Sequence, residues 1–210
     1  MRRPLAVAAL VALSCALRAG EGPAPVDPGG PEWRPLIAAL AARPALEAPF
    51  TERRYFPFRR GPVVLRGVLR ISRERGLSLQ YTQPAASVVV ADQSGILLRD
   101  ADGRTRSLGA GSREAGSLSS LLPILRFDVP ALSPRFQIRG LRTGDGWLLE
   151  FAPRDPALSG SLGDITVSGE GAEVRRLEFR RSAAQRIEIE VGAARIVPAF
   201  GPDDLRRFFR

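Results

Sequence analysis

Few side chains in this 210-residue sequence are of a type that does chemistry. Acids stand close together at Asp203-Asp204 and at Glu188 and Glu190. Two carboxylates can divide acid and base roles when a pocket holds them face to face. Glu188 and Glu190 lie in Arg186-Ile187-Glu188-Ile189-Glu190-Val191, the plainest alternation of charged and apolar residues in the chain. Both therefore share the solvated face of a strand. Hydrolysis by two carboxylates ranks last among the functions open to this chain.

The composition closes most other routes. There is no His, so Ser-His-Asp and Cys-His machinery and imidazole metal ligands are excluded. There is no Lys, so all 31 basic residues are Arg, and neither a Walker-type lysine nor a Schiff base can form. A single Cys, Cys15, makes no internal disulfide and no cysteine metal site. No G-x-S-x-G, Gly-rich phosphate fingerprint or metal-ligand spacing occurs. The expectation is a protein that is not an enzyme and holds no metal or cofactor.

The arginines pair at Arg53-Arg54, Arg59-Arg60, Arg175-Arg176, Arg180-Arg181 and Arg206-Arg207, spread along the chain with few aromatics between them. That dispersal argues against nucleic acid, which is met by a basic stripe or patch. Attraction to anionic lipid headgroups or acidic partners is the better use of the charge.

The first residues read as an export signal. Arg2 and Arg3 precede an apolar run from Leu5 to Leu17, with small residues at Ala16 and Ala19. The run is shorter than the ~20 residues that span a bilayer. Cleavage is expected near Ala19, with Ala16 as the alternative; Ala-Leu-Ser is a poor lipobox for lipidation of Cys15. Removing Arg2, Arg3 and Arg18 leaves 28 arginines against 22 acids, a net charge of +6 on an exported, soluble product. Residues 20–31, rich in Gly and Pro, read as a flexible linker, and residues 32–210 as one domain.

Glu32–Arg43 carries Trp33, Leu36, Ile37, Leu40 and Ala41 at helical spacing and ends before Pro44. From Ala48 the period changes to two. Strands are expected at Val64–Ile71, Leu77–Thr82, Ser87–Ala91, Ile96–Arg99, Arg135–Leu141, Gly146–Ala152, Asp164–Ser168, Glu173–Arg180 and Arg186–Val191. Short helices are expected at Leu118–Leu125 and Pro202–Arg210. Ten or eleven short strands form an antiparallel meander, and one apolar face must be covered by helices. The fold class is mainly β: a curved antiparallel sheet capped by two or three helices. Periodicity alone leaves open whether the interior is a filled core or a lipid-sized cavity.

A resemblance adds to this reading. Phe50-Thr51-Glu52-Arg53-Arg54-Tyr55 resembles the "F-x-Q-x-R" opening strand of the periplasmic outer-membrane lipoprotein carrier family (LolA-like proteins). Gly67 to Arg73 and Leu77 to Pro84 are similar to that family's second and third strands, and Ser87 to Asp92 to the strand that follows. Trp147 to Pro153 resembles its "L-x-P" strand, followed by Ile165 to Val167. The sequence departs from the family at Glu52, where Gln is common, at Leu79, where Trp is common, and at Arg73-Glu74, where Arg-Pro is common.

The resemblance implies an incomplete antiparallel β-barrel lidded by helices, in which a turn arginine bonds lid carbonyls and keeps the cavity closed. Arg73 is the matching residue. It shares parity with Leu69 and Ile71, and helix-end carbonyls would suit its five donors; the alternative is a solvated arginine in Arg73-Glu74-Arg75. The expected lipid-binding wall is Leu65, Leu69, Ile71, Leu77, Leu79, Tyr81, Phe136, Ile138, Trp147, Leu149, Phe151, Leu177, Phe179, Ile187 and Ile189.

The implied function is a monomeric periplasmic carrier of a lipoprotein or related acyl lipid. It would take cargo from an inner-membrane donor complex and pass it to an outer-membrane acceptor. The alternative is a sensory or assembly module that binds a protein partner with the same sheet.

Overall fold

The computed structural model describes residues 22–109 and 121–210. The expected signal peptide, Cys15 and the start of the expected Leu118–Leu125 helix lie outside those residues. In chain order the described elements are β1 (Ala24–Pro25), α1 (Arg34–Ala41), β2 (Ala45–Tyr55), β3 (Val63–Ser72), β4 (Gly76–Gln83), β5 (Ser87–Asp92), β6 (Gly95–Asp100) and β7 (Thr105–Gly109). They continue with α2 (Leu121–Leu125), α3 (Val129–Leu132), β8 (Phe136–Thr143), β9 (Gly146–Pro153), α4 (Pro156–Leu162), β10 (Asp164–Glu170), β11 (Glu173–Ser182), β12 (Gln185–Val191), β13 (Arg195–Val197) and α5 (Pro202–Phe208).

The strands form one antiparallel sheet in the order β1-β8-β9-β10-β11-β12-β2-β3-β4-β5-β6-β7, with β13 also paired to β2. β1 and β7 end the order and do not pair with each other among the described residues, so the fold is mainly β, with a sheet curved around a core and not closed into a barrel. Thirteen strands are present among the described residues against the ten or eleven expected. The additional ones include β1, β7 and β13, which are too short or too polar to show a period of two. No described helix is long and apolar enough to cross a membrane.

The segment expected to be a flexible linker is partly docked. Ala24 pairs with Gly140, Pro25 pairs with Arg139, and the Val26 amide donates to the Ile138 carbonyl at 3.2 Å. Gly and Pro composition signals the absence of regular structure, but it does not stop a chain from adding to an open sheet edge.

α1 crosses the concave face and buries Trp33, Leu36 and Leu40. It enters close to the sheet because Gly140 has no side chain: a Cβ there would lie 2.5 Å from the Trp33 ring. Beneath it, Trp147 donates from its indole to the Gly171 carbonyl at 2.8 Å, and Phe127 meets Trp147 edge-on at 6.1 Å. Phe136 and Phe151 form a second edge-on pair at 6.3 Å. This end of the sheet, β8 to β10, is filled.

The outer face is covered at the other end. Arg70, Ser78 and Val90 are neighbours across β3, β4 and β5 and point away from Leu69, Leu79 and Val89. All three are buried, and the C-terminal segment lies over them. Its Phe208 ring sits 3.6 Å from the Arg70 guanidinium, and Arg210 pairs with Asp92 at 3.1 Å.

Candidate binding cavity

Beneath β2 to β6, β11 and β12 the concave face encloses a cavity of about 530 Å³. Two cross-strand rows make most of its wall. Leu69, Leu79, Val89 and Leu98 run across β3 to β6, and Leu177 and Ile189 pair across β11 and β12, with Phe179 opposite Ile187 beside them. Leu77 and Tyr81 complete the β4 contribution, and Leu125 of α2 and Ser161 and Leu162 of α4 close it from the helical side. Alternation places these residues on one face, because each is an even number of positions from its strand neighbours.

Eight of the residues singled out from the sequence therefore line this cavity: Leu69, Leu77, Leu79, Tyr81, Leu177, Phe179, Ile187 and Ile189. The others lie elsewhere. Phe136, Trp147, Leu149 and Phe151 are buried in the filled end of the sheet, with Ile138 packed against them. Ile71 faces the small gap between the sheet and α1, and Leu65 packs at the edge of the core. Both halves of the sheet alternate alike, so periodicity does not distinguish the half that Trp33 and Phe127 fill from the half they leave open.

Sequence reasoning missed a polar group in the wall. Glu52 is 2% exposed, yet it lines the cavity with Arg54. The Tyr81 hydroxyl donates to Glu52 Oε2 at 2.6 Å, Arg54 Nε donates to Glu52 Oε1, and Arg54 Nη2 donates to the Tyr81 hydroxyl at 3.2 Å. Burial, then the Glu52 charge, push the Tyr81 phenol far above its ordinary value. Burial opposes charge on Arg54, but the bond to Glu52, the Glu52 charge and Tyr81 together outweigh it and raise the guanidinium.

Gly67 permits the cluster. A Cβ there would lie 2.0 Å from the Gln80 carbonyl oxygen and 3.0 Å from the Phe50 ring, which meets Tyr81 edge-on at 5.4 Å. The available signal was parity: Ala48, Phe50, Glu52 and Arg54 alternate in register, and the first two are plainly inward.

Arg73 sits in the turn after β3. Its Nη2 donates to the carbonyl of Ala41, the last residue of α1, at 2.7 Å, while its amide donates to the Pro44 carbonyl at 3.0 Å. The final carbonyls of a helix lack intrahelical donors, so the guanidinium supplies one. Two further arginines bond carbonyls around the same helix. Arg43 donates to the Ala172 carbonyl in the β10–β11 turn, and Arg142 donates to the Glu32 carbonyl at 2.8 Å.

An open antiparallel sheet that curls around an apolar chamber, with helices across its mouth, defines a lidded half-barrel. The sequence places this one more narrowly. A family model described as outer membrane lipoprotein carrier protein LolA-like (LolA_3) matches residues 33–202, and the chain belongs to that family. No curated relative matches the sequence.

Solved structures align with the chain at low identity. A LolA superfamily protein from Nitrosomonas europaea is 8% identical, with a TM-score of 0.46 over 82% of this chain and 96% of that one. A DUF1329 family protein from Desulfovibrio piger is 9% identical, with a TM-score of 0.45 over 80% and 92%. MucB is 14% identical, with a TM-score of 0.43 over 83% of this chain and 61% of its own.

Proposed function

We propose that this protein is an exported periplasmic carrier. It shelters the acyl chain of a lipid or lipoprotein in the cavity under α1, α2 and α4 and passes it toward the outer membrane. In this reading it acts as a monomer between an inner-membrane donor and an outer-membrane acceptor, and no chemical step is involved.

One observation carries the proposal: the unfilled 530 Å³ chamber, walled by apolar residues from β3 to β6, β11 and β12. Binding sites for small ligands are typically of about 300–1,000 Å³. Burying an acyl chain gains about 0.8 kcal/mol per methylene, or roughly 11 kcal/mol for about 14 of them. Association costs of at least ~4 kcal/mol reduce that gain to a moderate affinity. A carrier needs such an affinity, because its cargo must leave.

Arg73 is the latch in this proposal. One guanidinium–carbonyl bond at the end of α1 is strong enough to bias the lid and weak enough to release it. A fluorescent acyl lipid in donor vesicles, with quencher in acceptor vesicles, tests the proposal. The protein is expected to accelerate transfer in proportion to its concentration. A transfer rate equal to that of vesicles alone refutes the carrier role.

A further inference from the structure

Apart from the Glu52–Arg54–Tyr81 cluster, which lies opposite Ile189, the polar residues of the cavity wall gather at one end. The register places Leu69, Leu79, Val89 and Leu98 in one row and Leu177 opposite Ile189. Moving along β11 toward its hairpin, the wall passes through Phe179 and reaches Arg181. Gln185 and Arg186 return on β12, and Tyr55 is paired with Arg186 from the end of β2. The cavity is thus apolar over most of its length and cationic at the β11–β12 hairpin.

Charge pairing singles out one group at that end. Arg54 is matched by Glu52, and Arg186 by Glu188 at 2.9 Å, with the Arg186 guanidinium also 3.7 Å from the Tyr55 ring. Among the described residues Arg181 forms no ion pair. Its Nε and Nη2 donate to the neutral Gly160 carbonyl of α4 at 3.3 and 2.9 Å. A guanidinium has five N–H donors, and on this exposed residue at the cavity rim the other three are open to solvent or to a ligand. They sit two residues beyond Phe179, on a group whose charge no carboxylate offsets.

Volume limits the other end of the ligand. At about 530 Å³ the chamber falls within the roughly 300–1,000 Å³ typical of a site for one small ligand.

We propose that the preferred ligand is a single-chain amphiphile with an anionic head. It lies with its tail against the Leu69–Leu98 row and its head at Arg181, with Arg186 and Gln185 beside it. This rests on the reading of the cavity as an acyl-chain site and names the class of cargo. An anion at Arg181 supplies the missing counter-charge, and a charge-assisted hydrogen bond there adds to the apolar term rather than replacing it.

The test compares heads at constant tail. Delipidated full-length protein is titrated, by displacement of a fluorescent probe, with palmitate, hexadecyl phosphate, 1-monopalmitoylglycerol and hexadecyltrimethylammonium, each below its micellar concentration. The two anions are expected to bind roughly tenfold or more tighter than the neutral glyceride, the scale of one bond to a charged group. The cation is expected to bind weakest. Arg181→Gln should bring the anions to the affinity of the glyceride and leave the glyceride unchanged. Added salt should weaken only the anions in the native protein, which keeps the test valid if the variant does not fold.

Equal affinity for all four heads, or an Arg181→Gln loss shared by all four, overturns the head assignment and leaves the acyl-chain cavity standing. Failure of every amphiphile to bind overturns the cavity reading itself.

Discussion

Replacing Arg73 with leucine removes one bond from the closed lid and little else. The Nη2 donor to the Ala41 carbonyl is lost, while the backbone bond from the residue 73 amide to Pro44 does not depend on the side chain. The bond is exposed, so its net worth is about 1 kcal/mol. That corresponds to roughly a fivefold shift in the opening of the C-terminal turn of α1. The helix does not detach, because Arg43 still reaches the Ala172 carbonyl and Arg142 the Glu32 carbonyl.

Hydrogen exchange reads this directly. The amide of Ala42, bonded to the Ala38 carbonyl in the last turn, should exchange about fivefold faster in Arg73→Leu, while that of Ile37, bonded to the Trp33 carbonyl in the first turn, and the amides of β8 to β10 are unchanged. In the vesicle assay the variant should bind acyl lipid but no longer pass it on. Unchanged exchange at Ala42 together with unchanged transfer would refute the latch.

Filling the chamber with Val89→Trp should abolish acyl-lipid binding, measured by probe displacement, while stability falls by no more than about 3 kcal/mol. Phe136→Ala, in the filled end of the sheet, should cost about 3–5 kcal/mol in denaturant melts and leave the ligand affinity of the remaining folded protein intact. The Tyr81 phenol, held above its ordinary value by burial and Glu52, makes stability depend on alkaline pH. The unfolded chain loses this proton first, so stability is fully present below pH ~10 and declines as pH rises beyond it. Chemical denaturation should show that decline in the native protein and a smaller one in Tyr81→Phe.

Much of the fold was legible because half-buried strands alternate. Leu77 to Thr82 and Arg186 to Val191 lie within β4 and β12, within a residue or two of the limits read from the sequence. Helix α4 was not read, although Asp155-Pro156 is a capping residue followed by proline and the Asp155 carboxylate accepts from the Ala157 amide at 2.9 Å. Seven residues with little apolar periodicity gave no other sign. Arg70 and Ser78 are polar residues on the face opposite the apolar one, and nothing local in the sequence shows that they are buried: the Phe208 ring that lies on Arg70 comes from the far C-terminus.

The site was legible in proportion to how local its cause is. Arg73 came from the resemblance to the carrier family, with strand parity and the unsatisfied carbonyls of a nearby helix only consistent with it, and its guanidinium does meet such a carbonyl. The cavity followed only in part, since an apolar face states what must be covered and not what covers it. Glu52 and Arg54 escaped because charged residues are ordinarily outside, and only the bonds among Glu52, Arg54 and Tyr81 make their burial tolerable.

Native mass spectrometry of the protein purified without detergent from the periplasm of its own cells tests the central claim most directly. The carrier reading predicts a population heavier than the bare chain by the mass of an acyl lipid, shed on activation and lost in Val89→Trp. A bare mass throughout, from cells in which the exported protein is abundant, would contradict it.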